Sequence, residues 1–170
     1  LGFVPFELNP HLINPPWGYI VTANNLSTVK PVGDVEELQG YWEPSDRAYR
    51  IESLIEKRKD WTIEDMKSIH LDSFCVPGSQ IMSALLPILE SAKSNLSERE
   101  QKALELLEKW DYYYEIDRVG ASIFTVLSDA ILRNMLIDDL GEKMFEAYCS
   151  VADRWNFYKY IVKDENSFLW

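Results

Sequence analysis

Apolar residues recur at helical spacing throughout residues 45–170, and this periodicity most strongly limits the folds open to the chain. Residues 1–31 differ, because they are rich in proline and asparagine and carry short β-prone runs, GFVPFEL and GYIVTA. A stretch punctuated by glycine and proline connects the two regions. We therefore predict an α+β segment that is mostly α-helical, with short strands and loops in residues 1–44 and a helical region over 45–170.

Capping residues and helix breakers divide the helical region. Three hydroxyl side chains stand where helices should begin: Ser45, Thr62 and Ser97. The run SERE, Ser97 to Glu100, has the pattern of a capping box. Pro77 with Gly78 is predicted to end the second helix, and Pro87 to kink the third. Gly141 is predicted to separate the last two helices.

The charge balance argues against nucleic acid as a partner. Seventeen Lys and Arg against twenty-eight Asp and Glu give a net charge of −11, and no basic stripe stands out. No stretch approaches ~20 consecutive apolar residues, so no membrane span is predicted. The N-terminus lacks the basic start and apolar centre of a signal peptide. It also lacks an initiator methionine, as expected for an excised or processed segment.

The histidines and cysteines do not form a recognisable catalytic group. His70 and Cys75 are five residues apart, which is not a facing interval on a helix, and His11 lies in a proline-rich extended segment. The two cysteines fit no metal-ligand spacing, so we interpret them as small core residues. The chain has no glycine-rich phosphate loop and no Gly-x-Ser-x-Gly motif. Taken alone, these residues do not make a self-contained enzyme.

Two short stretches are not explained by composition or periodicity. In NPPWGYIVTANN the predicted strand Tyr19–Thr22 is followed by Asn24 and Asn25, amides that commonly form turns but can also reach toward a ligand. In WEPSDRAYRIESL, Arg47 and Arg50 lie in the first turns of a predicted helix, where the helix dipole mildly opposes a cation. From the residues alone, both a structural and a functional role stay open for these side chains.

In order and spacing, NPPWGYIVTANN, WEPSDRAYRIESL, TIEDMKSIHLDSF, LLEKWD and ASIF resemble the β-chain of the penicillin acylase (penicillin amidase) family over nearly the whole chain. The resemblance implies an N-terminal-nucleophile hydrolase with an αββα core, to which residues 1–44 contribute strands. It implies hydrolysis of an acyl-amide substrate through an acyl-enzyme. Asn24 matches the family asparagine that donates to the oxyanion hole, and Arg47 matches the family arginine near the substrate.

The resemblance also implies that catalysis needs more than this chain. The family nucleophile, a serine at the start of the β-chain, has no counterpart here, so residues 1–170 would be an internal segment that is inert without the remaining α- and β-chain parts of its precursor. Some family members hold calcium with a carboxylate from the loop after the Asn pair. Asp34 and Glu36 are both possible here, so we assign no metal or cofactor. The family suggests a periplasmic or extracellular location.

Two other functions are compatible with the sequence. A catalytically dead homologue would keep the architecture and lose the nucleophile. A non-enzymatic helical module would use Asn24 as a turn residue and Arg47 as surface charge. In that second case exposed aromatic residues would bind a protein partner, and four candidates lie near the C-terminus: Trp155, Phe157, Tyr158 and Trp170.

Overall fold

The computed structural model describes residues 3–33, 35–151 and 158 of a chain that divides into two compact units, Leu1–Leu71 and Asp72–Trp170. The α-helices of the described residues are α1 (Asp46–Ile55), α2 (Ile63–His70), α3 (Val76–Ser91), α4 (Glu98–Glu108) and α5 (Val119–Val151). Helices α1 and α2 belong to the first unit, and α3 to α5 belong to the second. The chain is mostly helical, as predicted. The domain boundary at residue 44 stays a prediction.

The short N-terminal strands are not confirmed. Residues 19–22 have no strand pairing within the described part of the chain, where β contacts are isolated bridges such as the parallel one between Asn25 and Glu43. A strand is stabilised by a ladder of hydrogen bonds to a neighbour. β-prone residues without such a neighbour do not make a strand, so the sequence pattern alone was insufficient.

Helix boundaries follow local capping in most cases. Thr62 and Asp65 form a capping box at the start of α2, whereas Ser45 precedes α1 without a side-chain capping bond. The prediction that Pro77 and Gly78 end the second helix was wrong. They lie in the first turn of α3, where the missing proline N–H costs nothing and the Cys75 thiol accepts a hydrogen bond from the Gly78 N–H at 3.2 Å.

The second unit has a well-packed core. Helices α3, α4 and α5 and the segment that follows α4 contribute the buried residues, which include Ile81, Met82, Leu85, Leu107, Trp110, Phe124, Leu132 and Leu136. Tyr158 is also buried, at 2% exposure, and its hydroxyl donates to the Ser128 carbonyl. The interpretation of Tyr158 as an exposed partner-binding residue was therefore wrong, while Trp155, Phe157 and Trp170 lie outside the described residues.

The first unit, in contrast, buries few residues. Only Ala23, Val32 and Ala48 among its described apolar residues are buried. Many large apolar side chains of the same unit are exposed, including Phe3, Phe6, Ile13, Trp17, Ile20, Val29, Tyr49 and Ile63. An apolar surface of this extent is unusual for a protein region that faces only water.

Helix α5 is interrupted at Gly141, as predicted, where the backbone adopts φ 66° and ψ 165°. By length and composition alone, its 33 residues could cross a membrane, with a mean hydropathy of 1.3 over the most apolar window. A single helix of this kind is weak support for a span, because core helices of water-soluble proteins meet the same criteria. Its buried residues Phe124, Leu132 and Leu136 belong to the core of the second unit.

The capping box of α4 gives a first testable prediction. The Ser97 hydroxyl accepts from the Glu100 N–H, and the Glu100 carboxylate accepts from the Ser97 N–H at 2.8 Å. Replacing Ser97 with alanine should destabilise α4 by about 1 kcal/mol at neutral pH. Hydrogen exchange of the first amides of α4 measures this loss. As a control, Ser83→Ala, at an exposed position within α3, should leave exchange unchanged.

The same box sets a pH dependence. Hydrogen bonds from the Ser97 side chain and backbone hold the pKa of Glu100 below its usual value. The stabilisation is therefore present above the ordinary carboxyl pKa and is lost as the pH falls through the lowered value. The difference between wild type and Ser97→Ala should shrink in acid. Equal exchange in the two proteins at neutral pH would contradict the cap.

Candidate functional site

Asn24 occupies an unusual backbone position at the surface of the first unit. It follows the buried Ala23, is itself exposed, and has a φ of 60°. This left-handed conformation is uncommon for residues with a side chain, although asparagine adopts it more readily than most. The Asn24 carbonyl accepts a hydrogen bond from the Glu43 N–H at 2.8 Å. The turn is therefore attached to the segment that leads into α1.

Arg47, in the first turn of α1, reaches the side chain of Asn24. Both terminal nitrogens of its guanidinium donate to the Asn24 Oδ1, at 3.4 Å each. Sequence analysis singled out these two residues separately, and the fold brings their side chains together across 23 positions of the chain. The bonds are long, but they converge on one oxygen from a group that can only donate.

This contact defines which end of the Asn24 amide Arg47 engages. Because the guanidinium has no acceptor, the atom it contacts is the amide oxygen, and the Nδ2 group lies at the other end. Nδ2 carries two N–H donors. The exposed amide can therefore offer a donor to a ligand while the adjacent guanidinium supplies positive charge. Such a pair suits an oxygen on which negative charge develops.

The sequence leaves Asn25 open between a turn role and a role toward a ligand, and it gives no role to Glu43. In the structure the Asn25 side chain bonds to the flanking backbone. Glu43 acts through its backbone N–H. Any residue type can make a backbone contact, so the sequence does not reveal the bond between Glu43 and Asn24. The adjacency of two asparagines is the one sequence signal for this turn.

His11, His70 and Tyr19 also lie in the first unit. His11 is exposed, with its ring nitrogen Nδ1 at 3.0 Å from the Asn9 carbonyl, and His70 is exposed at the end of α2. The Tyr19 hydroxyl donates to Glu56 at 2.7 Å, and this bond to a carboxylate raises the pKa of Tyr19 to about 12. Tyr19 thus stays protonated at physiological pH and is a poor base or nucleophile.

No metal site is assigned. The described residues contain no group of three or more His, Cys, Asp or Glu side chains arranged to hold a metal ion. Of the two carboxylates considered for calcium, Asp34 lies outside the described residues and Glu36 is exposed.

Comparison with known proteins identifies a family to which this chain is similar. The penicillin amidase family model matches residues 1–170. Penicillin G acylase of Escherichia coli is 29% identical over 156 residues, which cover 91% of this chain and 18% of that protein. Penicillin acylase 2 proenzyme of Pseudomonas sp. (strain SE83) is 29% identical over 132 residues, covering 78% of this chain and 16% of that protein. The chain thus spans less than a fifth of these relatives. No solved structure gives a significant match.

Proposed function

This chain belongs to the penicillin amidase family, and we propose that it is an internal segment of a hydrolase that cleaves acyl-amide bonds through an acyl-enzyme. In this proposal Asn24 is a catalytic residue that donates to the oxyanion, and Arg47 lies beside it at the substrate. The names of the relatives, penicillin G acylase and penicillin acylase 2 proenzyme, support the reaction class and a precursor that is processed.

The observation that carries the proposal is the contact between Arg47 and Asn24. Two guanidinium nitrogens engage one side of the amide, at 3.4 Å each, and leave its N–H donors directed elsewhere. An oxyanion donor must be aimed before charge develops, because reorientation during the reaction would cost free energy. A cation that bonds to Oδ1 favours this orientation of the amide. It also polarises the amide, which strengthens Nδ2–H as a donor.

The chemistry follows from acyl transfer. A nucleophile from another part of the precursor attacks the substrate carbonyl carbon, and the carbonyl oxygen becomes an oxyanion. Asn24 donates Nδ2–H to that oxygen, while the positive charge of Arg47 favours its formation. Collapse of the intermediate breaks the C–N bond, the proton lost by the attacking hydroxyl passes to the leaving nitrogen, and the amine departs from an acyl-enzyme ester. Water then attacks the ester carbonyl and a second oxyanion forms. Its collapse releases the carboxylic acid and returns a proton to the oxygen of the nucleophile.

The remaining parts of the precursor complete the fold in this proposal. The first unit exposes Phe6, Trp17 and Ile20 together with many other apolar side chains, which supports a covering partner. We infer that residues 1–44 contribute to an αββα core and that residues 19–22 form a strand when a neighbouring strand is present. The isolated segment should be inert toward amides.

Replacing Arg47 tests the proposal. In the full-length protein, Arg47→Met keeps the length of the side chain but removes the charge and the bonds to Asn24. We expect kcat on a chromogenic acyl-anilide to fall about tenfold to a hundredfold, because a misplaced donor loses part of its value in the transition state. Arg47→Lys should recover part of the loss, since a single cation can still reach Oδ1.

The control is Lys57→Met, which removes an exposed cation from the same unit and should leave kcat unchanged. If the wild-type protein hydrolyses no acyl-amide, the enzyme proposal fails and the dead homologue or interaction module takes its place. If the wild type is active and Arg47→Met is equally active, the enzyme stands and the role of Arg47 is wrong.

A further inference from the structure

The side chain of Asn25 bonds to the backbone of two residues, one before the Asn pair and one after it. Its Oδ1 accepts a hydrogen bond from the Ala23 N–H at 3.0 Å, and its Nδ2 donates to the Leu26 carbonyl at 3.2 Å. Asn25 is half-buried, whereas Asn24 is exposed. The two amides of the pair are therefore used differently, one toward solvent and one toward the turn.

The backbone of Asn25 joins the turn to the start of α1. Asn25 forms a parallel bridge with Glu43, within which the Glu43 N–H donates to the Asn24 carbonyl at 2.8 Å. Helix α1 begins at Asp46, and Arg47 follows. The distance between Asn24 and the guanidinium thus depends on how the turn is held against residue 43.

The conformation of Asn24 needs such support. A φ of 60° in a residue with a side chain is retained only when its surroundings favour it over the extended and helical alternatives. Rotation of φ at Asn24 would move the peptide that Asn25 clamps and would swing the amide away from Arg47. The bonds of Asn25 to Ala23 and Leu26 oppose that rotation.

We propose that Asn25 is a positioning residue for the oxyanion donor Asn24. It holds the turn in the left-handed conformation that places the Asn24 amide against Arg47. This inference rests on the proposed function, and it divides the Asn pair into one residue that contacts the substrate and one that acts through its neighbour.

The test is a mutant cycle on the full-length protein with an acyl-anilide substrate. Asn25→Ala removes both bonds and should lower kcat about tenfold to a hundredfold with a smaller change in KM, because the donor is misplaced for the transition state. Asn25→Asp keeps an oxygen that accepts from the Ala23 N–H, so it should recover part of kcat. A role in stability alone would not produce this ordering at a temperature where all variants are folded.

Combining Asn25→Ala with Asn24→Gly separates the effect of Asn25 on the position of Asn24 from its other effects on activity. Once the donor is removed, Asn25→Ala should reduce kcat no further, since there is nothing left to position. Full activity of Asn25→Ala, or additive losses in the double variant, would overturn the role of Asn25 while leaving Asn24 in place. An unchanged kcat in Asn24→Gly alone would overturn the proposed catalytic role of Asn24, and with it this inference, whereas a wild-type protein that cleaves no acyl-amide would overturn the proposed function itself. If Asn25→Ala does not fold, Asn25→Asp in both backgrounds decides the question by the same criteria.

Discussion

Asn24→Gly should lower kcat of the proposed full-length hydrolase about a hundredfold to a thousandfold, the usual loss when one oxyanion donor is removed. Glycine is the informative replacement because it adopts a φ of 60° without strain, so the turn at this position is retained. The change removes only the amide. KM should change much less than kcat, since the donor is needed most when negative charge has developed on the substrate oxygen.

Two further replacements at Asn24 separate the donor from the backbone. Asn24→Asp keeps an oxygen for Arg47 but has no N–H to donate, so it should be as inactive as the glycine variant. Asn24→Ala should be inactive and also less stable, by about 1 kcal/mol, because alanine is strained in the left-handed region. If kcat is lost in every variant that lacks the N–H donor, whatever its stability, the amide of Asn24 acts as the oxyanion donor.

Asn14 provides a matched control for Asn24. It is also an exposed asparagine with a positive φ, 46°, in the first unit. Asn14→Gly should leave kcat unchanged. If Asn24→Gly keeps wild-type kcat, Asn24 is a turn residue only, and the role taken from the family resemblance is wrong. If Asn14→Gly loses activity equally, the effect belongs to the stability of the first unit.

Local signals predicted the helices well and the N-terminal region poorly. The capping boxes at Thr62 and Ser97 and the interruption at Gly141 each depend on neighbours within a few residues, so the sequence contains what is needed to identify them. A strand at residues 19–22 depends on a neighbouring strand that the local sequence does not specify. Pro77 was misassigned because a proline can open a helix as readily as it ends one.

The site was predictable only in part. Local reasoning left Asn24 and Arg47 open between structural and functional roles, and the family resemblance gave them their expected roles. Their contact joins residues 23 positions apart through the attachment of Asn24 to Glu43, which is a property of the folded backbone. The burial of Tyr158 was missed for a similar reason, since its hydroxyl bonds to the Ser128 carbonyl 30 residues away.

Gly120→Ala should strongly destabilise the second unit. Gly120 is buried in the first turn of α5, and a Cβ built there would lie 2.5 Å from the Trp110 Cβ and 2.7 Å from its Cγ. These atoms adjoin the backbone, so a rotamer change cannot move the Cβ away. The clash must be relieved by shifting α4 relative to α5, and overpacking of this kind costs about 2 to 3 kcal/mol.

The contacts of Trp110 oppose that shift of the helices. Its indole N–H donates to the Tyr113 carbonyl at 2.9 Å, and its ring lies 5.1 Å from that of Phe124. Denaturant unfolding and hydrogen exchange in α4 and α5 would measure the loss. Gly78→Ala should cost less, because its Cβ would come no closer than 3.0 Å to its neighbours, the Cys75 Sγ and the far edge of the same indole ring. The exposed Ser122→Ala should be neutral. Since Gly120 and Trp110 lie in the second unit and Asn24 in the first, stability that is unchanged in Gly120→Ala would contradict the packing of α4 on α5 without affecting the proposed oxyanion donor.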